Sequence, residues 1–221
     1  MISDVDELGF EIVASVFDPT ALQSLIAELG PVPRAGRRGI LTLPCVAQLA
    51  RDPNLLAHVR PHLTGEPIAV RGIYFDKSAD SNWLVAWHQD TSIAVEAKWD
   101  VAGFGLWSTK DGITHVRPPA PILEHMLAVR IHLDDVDESN GALRVIRGSH
   151  KFGILSNERI QEFSSTKNAN YCIANAGDVM LMRPLLLHAS SRSTSPRHRR
   201  VLHIEYAGFS LPAGLQWHPA A

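Results

Sequence analysis

Cysteine is scarce in this chain: Cys45 and Cys172 are the only two in 221 residues. Two are too few for a disulfide framework. Both sit among apolar residues, so buried free thiols in a reducing cytosol are expected. No hydrophobic run reaches the roughly 20 apolar residues that a bilayer-spanning helix needs. The opening stretch Met1-Ile2-Ser3-Asp4 has neither a basic n-region nor an apolar h-region, so no secretory signal is expected. An excess of one charge is also missing, with 21 Lys and Arg against 23 Asp and Glu. The one basic cluster, Arg197-His198-Arg199-Arg200, is too short to make nucleic acid a partner. Internal repeats, low-complexity tracts and linkers are absent. What remains is an expected cytoplasmic globule with neither nucleic acid nor membrane as partner and its oligomeric state open. Its hydrophobic fraction of 45% is that of an ordinary folded protein.

Gly9 to Ala14 reads as a short strand. Asp18-Pro19 pairs an N-cap with proline at the first helical position, and Leu22, Leu25, Ile26 and Leu29 follow at helical spacing until Gly30-Pro31. Residues Val32 to Ile40 read as a loop. Asp52-Pro53 opens a second helix with Leu55, Leu56, Val59 and Leu63 on one face. From Pro67 the pattern turns to strands: 68–75, 83–89, 127–133, 141–146, 171–173, 179–182, 185–188 and 199–209. Residues 101–121, rich in Gly and Pro, read as a long irregular loop with a short extended piece, a natural substrate lid. A short helix is expected over 158–163. Short strands between Gly/Pro turns, without alternating helices, favour a sandwich or barrel over a parallel sheet. The expected fold is mainly β: a double-stranded β-helix (jelly roll, cupin-like) with flanking N-terminal α-helices. One domain is expected over 1–221, a helical buttress to about 66 and a β-helix core from about 67 to 210.

Trp87-His88-Gln89-Asp90 sets an imidazole and a carboxylate on one side of an extended strand, because strand side chains alternate faces. Each can give one bond to a divalent metal. His188, after the apolar run Leu185-Leu186-Leu187, is the best candidate for a third ligand among 11 histidines. Two histidines and a carboxylate with open positions mark non-haem Fe(II) oxygenases, although a bare His-x-Asp also occurs as a surface or core pair. Arg199 opens a strand in which Arg199, Val201, His203 and Glu205 share one face. An arginine on the inner face of a barrel needs an anion, and a guanidinium fork matches a carboxylate. His-x-Asp, a distant histidine and this arginine together suit a metal plus a dicarboxylic cosubstrate.

The chain resembles the phytanoyl-CoA dioxygenase-like family of Fe(II)/2-oxoglutarate-dependent oxygenases. The resemblance is carried by Trp87-His88-Gln89-Asp90, Asp134-Asp135 to Asn140-Gly141-Ala142-Leu143, Arg147-Gly148-Ser149-His150, Gly177-Asp178-Val179, and His188-Ala189-Ser190 through Arg199-Arg200. It spans roughly residues 68 to 209. It implies Fe(2+) held by His88, Asp90 and His188, and the cosubstrates 2-oxoglutarate and O2. The distal carboxylate of 2-oxoglutarate is expected on Arg199 and the Ser190 hydroxyl. Arg199 stands eleven residues after His188, the offset typical of this branch, which favours it over Arg197 and Arg200. The implied activity is hydroxylation of a small molecule with release of succinate and CO2. In halogenating relatives a small residue replaces the carboxylate that Asp90 supplies here.

Arg130 sits where relatives often place a residue near the cosubstrate. It shares a strand face with His132, and that face is either solvated or turned inward. Tyr74, Phe75 and Lys77 lie upstream of the metal strand, and Trp107 and His115 lie in the long loop. All five are candidates to line a substrate pocket, with packing or surface roles as the alternative. Two other functions fit the same residues: a non-catalytic metal- or ligand-binding β-helix protein, and a cupin-type metalloenzyme that does not use 2-oxoglutarate. Arg199 and Ser190 discriminate, since a cupin needs no dicarboxylate anchor.

Overall fold

The computed structural model describes residues 3–32 and 36–219. Side-chain caps set the helix starts in the N-terminal third. Ser3 caps α1 (Asp4–Glu7), and the Asp18 carboxylate accepts the Thr20 N–H at 2.8 Å to start α2 (Pro19–Leu29). After α3 (Pro44–Leu49), Asp52 accepts from the Asn54 and Leu55 N–H groups and starts α4 (Pro53–Val59). In α2, α3 and α4 proline occupies the first turn, where its missing N–H costs nothing. Two further helices, α5 (Ala120–Glu124) and α6 (Asn157–Thr166), lie among the strands.

In chain order the strands are β1 (Phe10–Val13), β2 (Gly36–Arg38), β3 (Ile68–Lys77), β4 (Val85–His88), β5 (Ile93–Val95), β6 (Gly105–Lys110) and β7 (Ile113–Arg117). Then come β8 (Leu127–His132), β9 (Leu143–Val145), β10 (Asn170–Cys172), β11 (Val179–Met182), β12 (His188–Ser190) and β13 (Arg199–Ala207). They form a six-stranded sheet, β1-β11-β8-β13-β3-β2, a four-stranded sheet, β10-β9-β12-β4, and a three-stranded sheet, β5-β7-β6. The pairings are antiparallel. The two larger sheets make the double-stranded β-helix.

Alternation decides what each face of the six-stranded sheet meets. Leu127, Val129 and Ile131 of β8 and Leu202, Ile204 and Tyr206 of β13 pack outward against Leu22, Leu25 and Leu29 of α2, Val46 of α3 and Leu55 and Val59 of α4. The intervening residues point at the four-stranded sheet. There Ala128, Met180 and Met182 pack on Leu143, Val145 and Cys172, closing one end of the sandwich. The helical layer thus carries the main core and leaves the inner face free for polar residues. Cys172 is buried and Cys45 half-buried, both as free thiols. Among the described residues no helix is long and apolar enough to cross a membrane.

Two local expectations are corrected. Residues 101–121 are not an irregular lid: β6 and β7 form a hairpin whose two-residue turn is Asp111-Gly112, with Lys110 paired to Ile113. Both turn residues have positive φ, 51° and 81°, as a type I′ turn requires, and Asp-Gly is a strong hairpin signal. In the stretch read as a loop from 32 to 40, residues 33–35 lie outside the described residues. Gly36–Arg38 is an edge strand on β3. The N-terminal region is therefore not purely helical, since β1 and β2 supply both edges of the large sheet.

The Gly177-Asp178 pair clamps the helical layer to the sheet. The Asp178 carboxylate accepts the Ser15 N–H at 2.8 Å and the Asn175 N–H at 2.7 Å, and the Gly177 carbonyl accepts the Phe17 N–H at 3.0 Å. Gly177 has φ +93°, and a Cβ there would run into the Phe17 carbonyl oxygen. Gly177→Ala is expected to cost about 2–3 kcal/mol, seen as a melting temperature roughly 4–12 °C lower. Gly112→Ala, where φ is also positive but a Cβ meets nothing, should cost only about 1 kcal/mol. Equal losses in the two variants would refute the clamp.

Candidate active site

His88 ends β4 and His188 begins β12, and the two are cross-strand partners. Their rings lie 4.2 Å apart, centroid to centroid. Asp90, two residues past His88, is fixed by its N–H, which donates to the Pro184 carbonyl at 2.9 Å. Its carboxylate oxygens lie 3.8 Å from His88 Nε2 and 3.7 Å from His188 Nε2. One ligand atom from each of the three residues falls within 4.8 Å of the others. His88 Nδ1 is 2.9 Å from the Ala86 carbonyl and His188 Nδ1 is 2.8 Å from the Leu186 carbonyl. Those carbonyls only accept, so each Nδ1 carries a proton and each Nε2 is the nitrogen turned to the common point. Such backbone anchoring is the usual orientation device for metal-binding histidines.

Burial pushes the His188 imidazole down to about 4; Asp90 opposes the fall and His88 adds to it. His188 is therefore neutral at pH 7. Burial works against the Asp90 carboxylate, yet His188, His203, His88 and Arg71 together hold it below its ordinary range. Two imidazole nitrogens and an ionised carboxylate converging on one point are a donor set for a divalent cation.

These groups open on a cavity of about 210 Å³ between the two sheets. Arg130 of β8 and Arg199 of β13 line it, and Lys77 of β3, the cross-strand partner of Arg199, lies just behind Ser190. All three cations are buried. The Nε atoms of Arg130 and Arg199 are buried with no hydrogen-bond partner among the described residues. Arg130 Nη1 donates to His203 Nδ1 at 3.3 Å, and its guanidinium lies over the Phe75 ring. Burial, then Arg130, pushes the Arg199 guanidinium down to about 9, with Asp76 opposing. Lys77 is pushed down to about 7 by burial, Arg199 and Arg130. Asp76 itself is held by His198 at 2.7 Å. Like charges are thus packed together in a dry wall, and an anion in the cavity would relieve them.

Ser190 also lines the cavity, but its hydroxyl is occupied: it donates to the Gly141 carbonyl at 2.8 Å and accepts from Lys77 Nζ at 2.8 Å. Phe75 lines the cavity as expected. Arg130 and His132 face inward and are buried, which resolves the solvated alternative against it. Arg197 and Arg200 pair with Asp137 and Asp134 instead of entering the site. Gln89 turns away from the histidines, donating to the Leu185 and Gly153 carbonyls.

Of the other four expected pocket residues, Lys77 stands behind Ser190, and Tyr74, Trp107 and His115 lie away from the cavity. Tyr74 has the opposite parity to Phe75 and packs into the core under the helices. Trp107 packs into the apolar cluster around Val116 and Leu123. His115 is buried on β7 with Nδ1 against the Ile113 carbonyl at 2.9 Å. Both of the latter sit in the small hairpin sheet instead of a mobile lid. Conversely, Arg38, Arg71, His203 and Glu205 line the cavity and were not singled out from the sequence. For Arg71, His203 and Glu205 the signal was present, because they share parity with Lys77 and Arg199.

Residues 5–201 match the family model described as "Phytanoyl-CoA dioxygenase (PhyH)", and the chain belongs to that family. The L-proline trans-4-hydroxylase of Streptomyces griseoviridis is 28% identical over 187 residues, a match covering 72% of this chain and 62% of that protein's length. HygX from Streptomyces hygroscopicus, solved with nickel, 2-oxoglutarate and hygromycin B bound, shares the fold at 23% identity and a TM-score of 0.65. That likeness covers 92% of this chain and 84% of HygX. EctD from S. alaskensis, in its apoform, shares the fold at 20% identity and a TM-score of 0.70, covering 99% of this chain and 83% of EctD.

His132 makes the site acid-labile. Neither ring nitrogen has a hydrogen-bond partner among the described residues. Burial, then Arg130 and Arg199, push its imidazole down to about 3. The unfolded value is about 6.5, so the folded value is the lower one. The unfolded chain therefore binds the extra proton, and stability is lost as pH falls from about 6.5 towards 3. His132→Leu should remove this contribution. Urea unfolding from pH 7 to pH 4 should show wild type losing on the order of 3 kcal/mol more than the variant. Parallel losses would show that His132 is not held neutral.

Proposed function

We propose that this member of the phytanoyl-CoA dioxygenase family is an Fe(II)- and 2-oxoglutarate-dependent dioxygenase that hydroxylates a small molecule and releases succinate and CO2. One observation carries the proposal: a two-histidine, one-carboxylate cluster opens on the same small cavity as a group of buried cations that form no ion pair among the described residues. The first part is a divalent metal's donor set with positions left open. The second is what a dicarboxylate needs and what a cupin-type enzyme without such a cosubstrate has no use for. We read the chain as a single catalytic domain in the cytoplasm, in keeping with its two free thiols.

His88, Asp90 and His188 would hold the Fe(II). Their Nδ1 anchors fix ring orientation, and Asp90 supplies the negative charge. When bound, iron with 2-oxoglutarate and O2 supplies the oxidising chemistry that a side chain cannot. Arg199 would grip the distal carboxylate through its guanidinium fork. Ser190 can join only if its O–H turns from the Gly141 carbonyl, with Lys77 still donating to its oxygen. Lys77 adds positive charge from behind, and Arg130 adds it from β8. The surrounding apolar wall, Phe75, Val85 and Leu143, keeps water from competing for these groups.

The test is anaerobic addition of Fe(II) and 2-oxoglutarate, watched by visible absorption. A weak charge-transfer band is expected in wild type and should vanish in His88→Ala and Asp90→Ala. Arg199→Ala should keep metal affinity but weaken 2-oxoglutarate binding by about 100-fold or more, the cost of losing a desolvated charge partner. No band in wild type, together with no succinate under O2, would refute the function.

A further inference from the structure

The cavity has a second charged end that one cosubstrate cannot serve. On β3 the inward residues are Lys77, Phe75, Ile73 and Arg71; their cross-strand partners on β13 are Arg199, Val201, His203 and Glu205. Six residues of strand separate the Cα atoms of Lys77 and Arg71, about 20 Å at 3.3 Å per residue. A five-carbon diacid spans only about 5 Å between its end carbons. A diacid held at the Arg199 end therefore leaves the Arg71 end without a ligand.

That end differs in kind from the first. Arg71 Nη1 donates to Glu205 Oε1 at 2.9 Å, and both side chains are almost wholly buried, 10% and 4% exposed. The same Nη1 also meets the Ser92 carbonyl at 3.2 Å. Arg71 Nε is buried without a partner among the described residues. The Nε–Nη2 edge, which fits a carboxylate in two parallel bonds, is unspent. On the other side, the hydrogen bonds of Glu205 fall on Oε1, from Arg71 and from His203 Nε2 at 3.4 Å. A free donor edge and a free acceptor oxygen thus belong to two paired side chains that both line the cavity.

Asp90, His203 and Glu205 also bring one atom each within 4.8 Å of one another. They do not make an independent metal site, because Asp90 already belongs to the cluster with His88 and His188. Their closeness has another meaning: a molecule held on Glu205 lies beside Asp90, and so beside the metal cluster. Arg38 lines the same end, and Lys110 feels the field of Arg71, Arg38, Asp90 and Glu205. Arg38 is itself paired with Asp111 at 2.8 Å, so cations and carboxylates balance there and a substrate of large net charge is disfavoured. An apolar one would leave the pair's free atoms unmatched.

We propose that the Arg71–Glu205 end is the substrate subsite and that the substrate is a free α-amino or α-imino acid, its carboxylate on Arg71 and its ammonium on Glu205. The proposal rests on the dioxygenase reading above for the reaction that follows binding. That the curated relative acts on L-proline by its name agrees with this chemistry and supplies a probe.

The experiment measures thermal shifts of the intact protein with Mn(II), under argon, in three arms. The first adds 2-oxoglutarate alone; no shift in wild type would overturn the dioxygenase reading and leave the subsite claim to the other arms. The second adds, on top of 2-oxoglutarate, a panel of free L-amino acids including L-proline. At least one should shift the melting point further, and its methyl ester and N-acetyl derivative should bind about 10- to 100-fold more weakly. The third uses the double variant Arg71→Met/Glu205→Met, which removes both charges together and so avoids stranding one. It should keep the 2-oxoglutarate shift and lose the amino-acid shift, while Glu205→Asp should keep both. If no amino acid in the panel shifts wild type while 2-oxoglutarate does, the subsite proposal fails. It also fails if blocked derivatives bind as well as free ones, or if the double variant still responds.

Discussion

Arg130 and Arg199 line one wall of a cavity with Lys77 just behind it, all three are shut away from water, and among the described residues no carboxylate forms an ion pair with them. Most of what is distinctive about this protein follows from that arrangement. Buried charge without a partner is among the costliest features a fold can carry. The cost is visible in the depressed proton affinity of Lys77 and Arg199, each caused by burial and then by the other cations. His132 pays in the same field by remaining neutral. An anion entering the cavity removes much of this penalty, so ligand binding and stability are linked. The wall is therefore an anion site by energetics as well as by shape.

The fold tolerates this because its stability is gathered elsewhere. The outward residues of β8, β11 and β13 form one continuous apolar cluster with α2, α3 and α4. The inward residues of the same strands are then not needed for the core. Antiparallel pairing lines up polar residues in rows: Lys77 with Arg199, Arg71 with Glu205, His203 with Arg130. The four-stranded sheet brings His88 and His188 together by the same rule. A one-residue slip in any of these pairings would turn the row outward into the helices. The Gly177-Asp178 clamp, which ties Ser15 and Phe17 to the start of β11, holds the layers in this relation.

Much of this was legible in the sequence, and the limits have physical reasons. His88 and Asp90 are two apart at a strand end, so their common face needs no structure to see. The caps at Asp18 and Asp52 were equally plain, because a short carboxylate before proline has few other uses. Arg130 and His132 were ambiguous for a definite reason. Alternation says which residues share a face, not what that face meets, and β8 is covered on both sides. Asp111-Gly112 was readable as a hairpin turn but was masked by the many glycines and prolines around it. Arg38 left no signal, since it lies on a three-residue edge strand whose place is set by long-range pairing with β3.

The two ends of the β3–β13 row place different demands on whatever fills the cavity. At the Arg199 end the charge is unbalanced, so any well-shaped anion gains from the whole excess. At the Arg71 end the protein has already neutralised itself, since Arg71 and Glu205 lie 2.9 Å apart. A net charge gains little there, and what is rewarded is a particular spacing of opposite charges. A buried ion pair is weak evidence for stability, because desolvation offsets most of its attraction. Such a pair is therefore poorly explained as a brace and better explained as a selective surface. One end thus draws a ligand through net charge, while the other selects through geometry. His203, 3.4 Å from Glu205 and 3.3 Å from Arg130, stands between them. Asp90 feels the charges of Arg71 and Arg130 alike, so the cluster built on His88, Asp90 and His188 sits where the two ends meet.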